Sequence, residues 1–238
     1  MMPIAWRGIG REAGMARFEP RFEDRRDAGR KLAAALSHYE QSHPLVLALP
    51  RGGVPVGFEV ASRLRAPLDI LLVRKIGAPG HPEFGIGAVV DGRDPQLVLN
   101  EDLVRMVDPD PGYIEAEEKR QLAEIERRRR CYLGDRPAPS IAGRVVIVVD
   151  DGIATGGTVR AALRGLSRED PARLVLAVPV APPETLNELA PLADDIVCLF
   201  APKSFRAVGL HYLHFDQTDD EEVVRLLEEA WSRLSTSG

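Results

Sequence analysis

Two adjacent carboxylates, Asp150 and Asp151, stand between an uninterrupted apolar run, Val145-Val146-Ile147-Val148-Val149, and a turn rich in glycine and threonine, Gly152-Ile153-Ala154-Thr155-Gly156-Gly157-Thr158. A short run of that kind reads as a strand buried on both faces, so the turn after it lies at the carboxyl edge of a parallel sheet, where ligands bind. Gly152, Gly156 and Gly157 let the backbone turn tightly and bring bare N–H groups to an anion. A helix opening near Thr158 aims its positive end at the same place, and Thr155 and Thr158 add hydroxyl donors. Neighbouring acids repel each other; here they can accept hydrogen bonds from a vicinal diol or hold a hydrated Mg²⁺. The whole string therefore suits a sugar phosphate. No lysine follows the glycines, which speaks against a P-loop and against a kinase or phosphohydrolase built on the acid pair.

A second turn of the same type follows residues 45–49, another apolar run: Pro50-Arg51-Gly52-Gly53, ahead of a helix with Pro55 in its first turn. The Arg51 guanidinium has the fork that matches phosphate oxygens. A third run, residues 68–73, ends in Arg74 and Lys75 and then a stretch rich in Gly and Pro up to Gly85. Two cations at a strand end before such a stretch suit a mobile lid with a charged hinge.

The string from Val145 to Thr158 resembles the 5-phosphoribosyl 1-pyrophosphate (PRPP) binding motif of the type I phosphoribosyltransferases: apolar residues, two acids, then a Gly/Thr loop. The resemblance extends over residues 22–232. It implies that Asp150 and Asp151 meet the ribose 2′ and 3′ hydroxyls and, through these or water, a Mg²⁺ ion. It also implies that Gly152, Ile153, Ala154, Thr155, Gly156, Gly157 and Thr158 wrap the 5′-phosphate. Arg51-Gly52-Gly53 is similar to the family's pyrophosphate loop, which often holds a non-proline cis peptide, and Arg74 and Lys75 stand where cations approach the pyrophosphate. With Asp150 and Asp151 they form the implied catalytic set. The segment 202–212 looks like the base-binding hood of the purine members, with Lys203 and Phe205 as candidates for holding the acceptor. Leu210-His211-Tyr212 departs from the Leu-Asp-Tyr of those enzymes and loses a carboxylate. The implied reaction is transfer of the phosphoribosyl group from Mg-PRPP to a nitrogen acceptor such as a nucleobase. The alternative is a regulatory protein that binds PRPP without turnover.

These residues need a sheet to hold them. Five apolar runs (45–49, 68–73, 145–149, 174–178 and 196–200) alternate with amphipathic stripes, notably Val56, Val60 and Leu64; Val159, Ala162, Leu163 and Leu166; and Val223, Leu227, Ala230 and Leu234. Strand and helix in alternation predict a doubly wound α/β fold with a mainly parallel sheet flanked by helices. A helix is expected over 24–39 and a hairpin over 85–99. A charged helix over 114–132, with Arg127–Arg130 as a solvated and ion-paired face, reads as a surface insertion or a contact in a homodimer. Residues 1–21 read as a flexible tail and 22–238 as one domain.

The 238 residues carry 31 Lys plus Arg against 36 Asp plus Glu, a net charge of −5, so no global basic field favours nucleic acid or an anionic membrane. An anion must be captured locally. Cys131 and Cys198 show no zinc spacing, and no apolar run approaches the roughly 20 residues of a membrane span. A reduced, cytoplasmic protein is the expectation.

Overall fold

The computed structural model describes residues 7–8 and 21–235. Six parallel strands form the main sheet: β1 (Arg7–Gly8), β2 (Leu45–Ala48), β3 (Leu68–Ile70), β7 (Val145–Val149), β8 (Arg173–Val180) and β9 (Asp195–Phe200), in the order β1-β9-β8-β7-β2-β3. Alternate residues of β7 serve opposite layers. Ile147 and Val149 pack with Leu32, Phe58 and Leu227 from α1 (Arg25–Ala35), α2 (Gly53–Leu64) and α7 (Asp220–Ser235). Val146 and Val148 pack with Leu163 and Leu186 from α5 (Gly157–Leu166) and α6 (Pro183–Leu189). Each buried Val or Ile contributes about 1.5–3 kcal/mol before chain entropy is set against it, which is why the apolar runs settle as central strands. The doubly wound α/β architecture is the one the sequence predicts.

Three expectations are corrected. The run 68–73 is broken: β3 ends at Ile70, and Val73 opens a separate antiparallel sheet of β4 (Val73–Ala78), β5 (His81–Val90) and β6 (Gln96–Leu99). Leu71 still donates to Ala48 O at 2.9 Å while Asp91 donates to Leu72 O at 2.8 Å, so two residues hand the chain from one sheet to the other. The expected hairpin pairs Ala88 with Val98, and β5 also pairs back on β4, so the Gly- and Pro-rich stretch read as a lid over 74–85 forms strands of its own rather than a loop. The helix expected over 24–39 stops at Ala35 and tightens into a 3₁₀ segment over Ser37–Ser42. Its start is capped by Asp24, whose carboxylate accepts from the Asp27 amide at 2.7 Å. The expected tail lies outside the described residues except for Arg7–Gly8, which pairs with β9, and Arg21. No helix among the described residues is long and apolar enough to cross a membrane.

The charged helix is α4 (Tyr113–Leu133), reached through the short α3 (Glu101–Val107). It is anchored to the rest of the domain along one face. Gln121, Ile125, Tyr132 and Leu133 are buried, Tyr113 Oη donates to Gly77 O at 2.9 Å, and Tyr132 Oη donates to Asp220 of α7 at 2.6 Å. Of the four arginines, Arg127 and Arg128 pair with Glu124 and Arg130 with Glu126, as a solvated face should. Arg129 departs: it reaches the buried Asp91 at 2.6 Å and fastens α4 to the end of β5.

Asp69 on β3 is 9% exposed near this pair, and burial pushes its carboxyl from 3.8 up to about 6, against the pull of Arg129. A raised acid favours the folded state in its neutral form. Its contribution is present below pH 4 and is lost as pH rises through about 6. Asp69→Asn keeps an oxygen for the Ile70 amide, which Asp69 Oδ1 accepts at 2.7 Å, and removes the charge. Thermal melts are expected to show the variant more stable than wild type at pH 8 by about 2–3 kcal/mol, with the gain vanishing near pH 4.

Candidate functional site

β2 and β7 are neighbours, paired Ala48 with Val149, yet the chain leaves β2 towards β3 on one side and β7 towards β8 on the other. Their carboxyl ends therefore diverge into a crevice at the point where the winding reverses. Both glycine turns meet there. The first contains a cis peptide between Pro50 and Arg51. Leu49 donates to Val149 O at 2.9 Å, while the Gly53 and Val54 amides are spent on starting α2, donating to Leu49 O and Arg51 O. Gly53 thus offers no free amide to an anion, contrary to the sequence reading. Gly52 contributes by its lack of a side chain, since a Cβ there would lie 2.0 Å from Asp151 Oδ2 and 2.6 Å from its Cγ. Only glycine lets the two turns touch. The Arg51 guanidinium stands at the rim, 3.8 Å from Asp220.

Asp150 and Asp151 stay at the sheet edge, part-buried rather than swallowed by the core. Asp151 Oδ2 is held by Arg25 Nε at 2.7 Å, both side chains being nearly buried. Arg25 in turn donates to Asp216 O at 2.6 Å and lies 3.8 Å over the Phe215 ring. Tyr212 Oη donates to the Asp151 carbonyl at 2.5 Å, and Asp150 Oδ1 accepts the Asp151 amide at 2.8 Å. Burial, then the repulsion of Asp151, holds the Asp150 carboxyl well above the usual range. Asp151 is also raised by burial, with Arg25 opposing. A pair under this strain is stabilised in its ionised form by hydroxyl donors or a cation. Among the described residues no three acid, histidine or cysteine side chains gather to hold a metal. The two carboxylates are hard oxygen donors, the kind of ligand Mg²⁺ accepts.

The seven residues after the acids divide their work. Ile153 is buried and its amide donates to Val180 O at 2.9 Å, and Thr185 Oγ1 donates to Ala154 O at 2.8 Å, so these two anchor the turn. Gly156 takes φ 72° at the cap of α5, where a Cβ would also meet Thr185 Cγ2 at 2.7 Å. Thr155, Gly157 and Thr158 are exposed, and the first turn of α5 leaves amides for an anion. The Ile153 amide, spent on Val180 O, is not free for an anion.

Arg74 and Lys75 line a cavity of about 540 Å³ together with Thr155, Gly157 and Thr158; neither Asp150, Asp151 nor Arg51 lines it. The structure thus places the two cations beside the Gly152–Thr158 turn, in a cavity that Arg51 does not line. Arg74 Nε donates to Gln121 Oε1 at 3.0 Å and Lys75 Nζ to Glu83 at 2.9–3.1 Å. In the hood, Phe205 stacks on His211 with ring centres 5.5 Å apart, His211 meets the edge of Phe200, and Lys203 is exposed. The same segment reaches the loop through Val208, whose Cγ1 would lie 2.5 Å from a Cβ on Gly152. Arg25, Tyr212 and Phe215 escape sequence reasoning as site residues. Arg25 sits in an ordinary amphipathic helix 126 positions from Asp151, and nothing local in the sequence marks it.

The model of the phosphoribosyl transferase domain family matches residues 22–199. A Mycobacterium tuberculosis protein named "Putative phosphoribosyl transferase", known from two strains, is 45% identical over 217 residues, 91% of this chain. The chain spans about half, 48%, of the length of these curated relatives. The crystal structure of TT1426 from Thermus thermophilus superposes with a TM-score of 0.77 at 47% identity, covering 88% of this chain and 98% of that one. A sheet whose two glycine turns converge on an acid pair, together with a family match over most of the chain, makes this protein a member of the phosphoribosyl transferase domain family.

Proposed function

We propose that the chain transfers the 5-phosphoribosyl group of PRPP to a nitrogen acceptor, a nucleobase first, with release of pyrophosphate. The observation that supports this best is the contact of Gly52 with Asp151, which puts a phosphate-compatible turn and a diol-compatible acid pair on the two sides of one crevice. The bond from C1 to the pyrophosphate oxygen breaks, the bond from the acceptor nitrogen to C1 forms, and the proton displaced from that nitrogen leaves to solvent or to pyrophosphate.

In this reading Asp150 and Asp151 accept from the ribose hydroxyls, and Arg25 holds Asp151 in place. Thr155, Gly157 and Thr158, with the first turn of α5, take the 5′-phosphate, and Arg51 takes up charge developing on the leaving group. Magnesium, when bound with PRPP, neutralises pyrophosphate charge. Arg74 and Lys75 act from the loop side. Phe205, stacked on His211, and Lys203 hold the planar acceptor in this reading. The test mixes the protein with Mg-PRPP and a panel of nucleobases and follows pyrophosphate. Release that depends on one base is the expected result. Saturable PRPP binding with no release for any acceptor would identify a PRPP-binding regulatory protein instead.

A further inference from the structure

The cavity beside the phosphate loop continues well past the part the reaction uses. It runs along α5 from Thr158 to Arg164, about 9 Å at 1.5 Å per residue, under the small antiparallel sheet. Just beyond Arg164 the helix presses on β5: a Cβ on Gly165 would meet Val90 Cβ at 2.8 Å. Four cations line it, Arg74, Lys75, Arg160 and Arg164, and no carboxylate does. Arg160 keeps Glu188 at 2.6 Å and Lys75 keeps Glu83 at 3.1 Å, whereas Arg74 and Arg164 have no ion pair among the described residues. In a chain of net charge −5, this wall is locally basic: Arg74 and Arg164 carry charge that no acid among the described residues pairs, and Arg160 and Lys75 stand beside them. Asn100 adds an amide, and Ala88, Val98 and Leu99 supply an apolar wall.

We propose that this cavity is a second ligand site, taking a phosphomonoester with an apolar or planar body, of the nucleoside monophosphate class. Arg160 and Arg164 hold the phosphate and the β5–β6 wall receives the body. A ligand there touches Thr155 and Thr158 from below, so its occupancy sets the shape of the loop that meets the 5′-phosphate. The inference rests on the PRPP reading only for what occupies that neighbouring loop.

Adenosine 5′-monophosphate is the probe, titrated calorimetrically into the whole chain with and without saturating Mg-PRPP. With PRPP bound, the wild type is expected to take one further equivalent of the probe. Arg160→Gln combined with Arg164→Gln is expected to weaken that equivalent about tenfold or more, with PRPP affinity unchanged. Complete displacement of the probe by PRPP, equal binding to both proteins, or no saturable binding up to millimolar probe would each overturn the second site. Should PRPP itself fail to bind, the transferase reading falls, while loss of the probe in the double variant would still uphold the cavity.

Discussion

Gly52→Ala is expected to lower kcat/KM for PRPP about a hundredfold. A methyl at this position would overlap Asp151 Oδ2 at 2.0 Å and its Cγ at 2.6 Å. A carboxylate free to swing could yield, but this one is fixed by Arg25 at 2.7 Å, and Arg25 is itself pinned to Asp216 O and the Phe215 ring. Either the pair breaks or the Pro50–Gly53 turn backs away from the acid. A displacement of about 1 Å at a reacting centre costs about a hundredfold. Steady-state pyrophosphate release measures the loss, and a variant with wild-type kinetics would show that the contact between the two turns has no part in turnover.

Asp150→Asn is expected to weaken PRPP binding or slow turnover by about 10–100-fold, the worth of one hydrogen bond to a charged group. The asparagine oxygen can still accept the Asp151 amide, now bonded to Asp150 Oδ1 at 2.8 Å. Burial and the neighbouring acid already favour a neutral group at this position, so the melting temperature should not fall. That combination separates a functional role from a structural one. Lower stability with unchanged kinetics would make Asp150 a mere part of the sheet edge.

What the sequence revealed follows the range of the interactions concerned. The strands β2, β7, β8 and β9 were legible because parallel central strands are apolar on both faces, a signal carried by consecutive residues. The acid pair and the Gly156-Gly157 turn were legible for the same reason: strand, loop and helix start lie within 14 positions. The break after Ile70 was not, since Leu71 and Leu72 are as apolar as their neighbours, and only the partners Ala48 and Asp91 show where one sheet ends and the next begins. The hairpin over β4 and β5 hides behind Gly77, Gly80 and Pro82, residues that ordinarily mark a loop. Arg25 and Tyr212 reach Asp151 across 126 and 61 positions, and such contacts leave no local trace. Arg129 reads as one more solvated arginine until Asp91 is seen buried beneath it.

The central claim is that two turns on adjacent strands grip the two ends of one phosphorylated pentose. Calorimetric titration with Mg-PRPP, set beside ribose 5-phosphate under the same conditions, tests it most directly. The account predicts saturable PRPP binding, with ribose 5-phosphate weaker by about tenfold or more because it leaves the Arg51 turn without a partner. Equal affinity for the two ligands, or no saturable binding of PRPP, would contradict it.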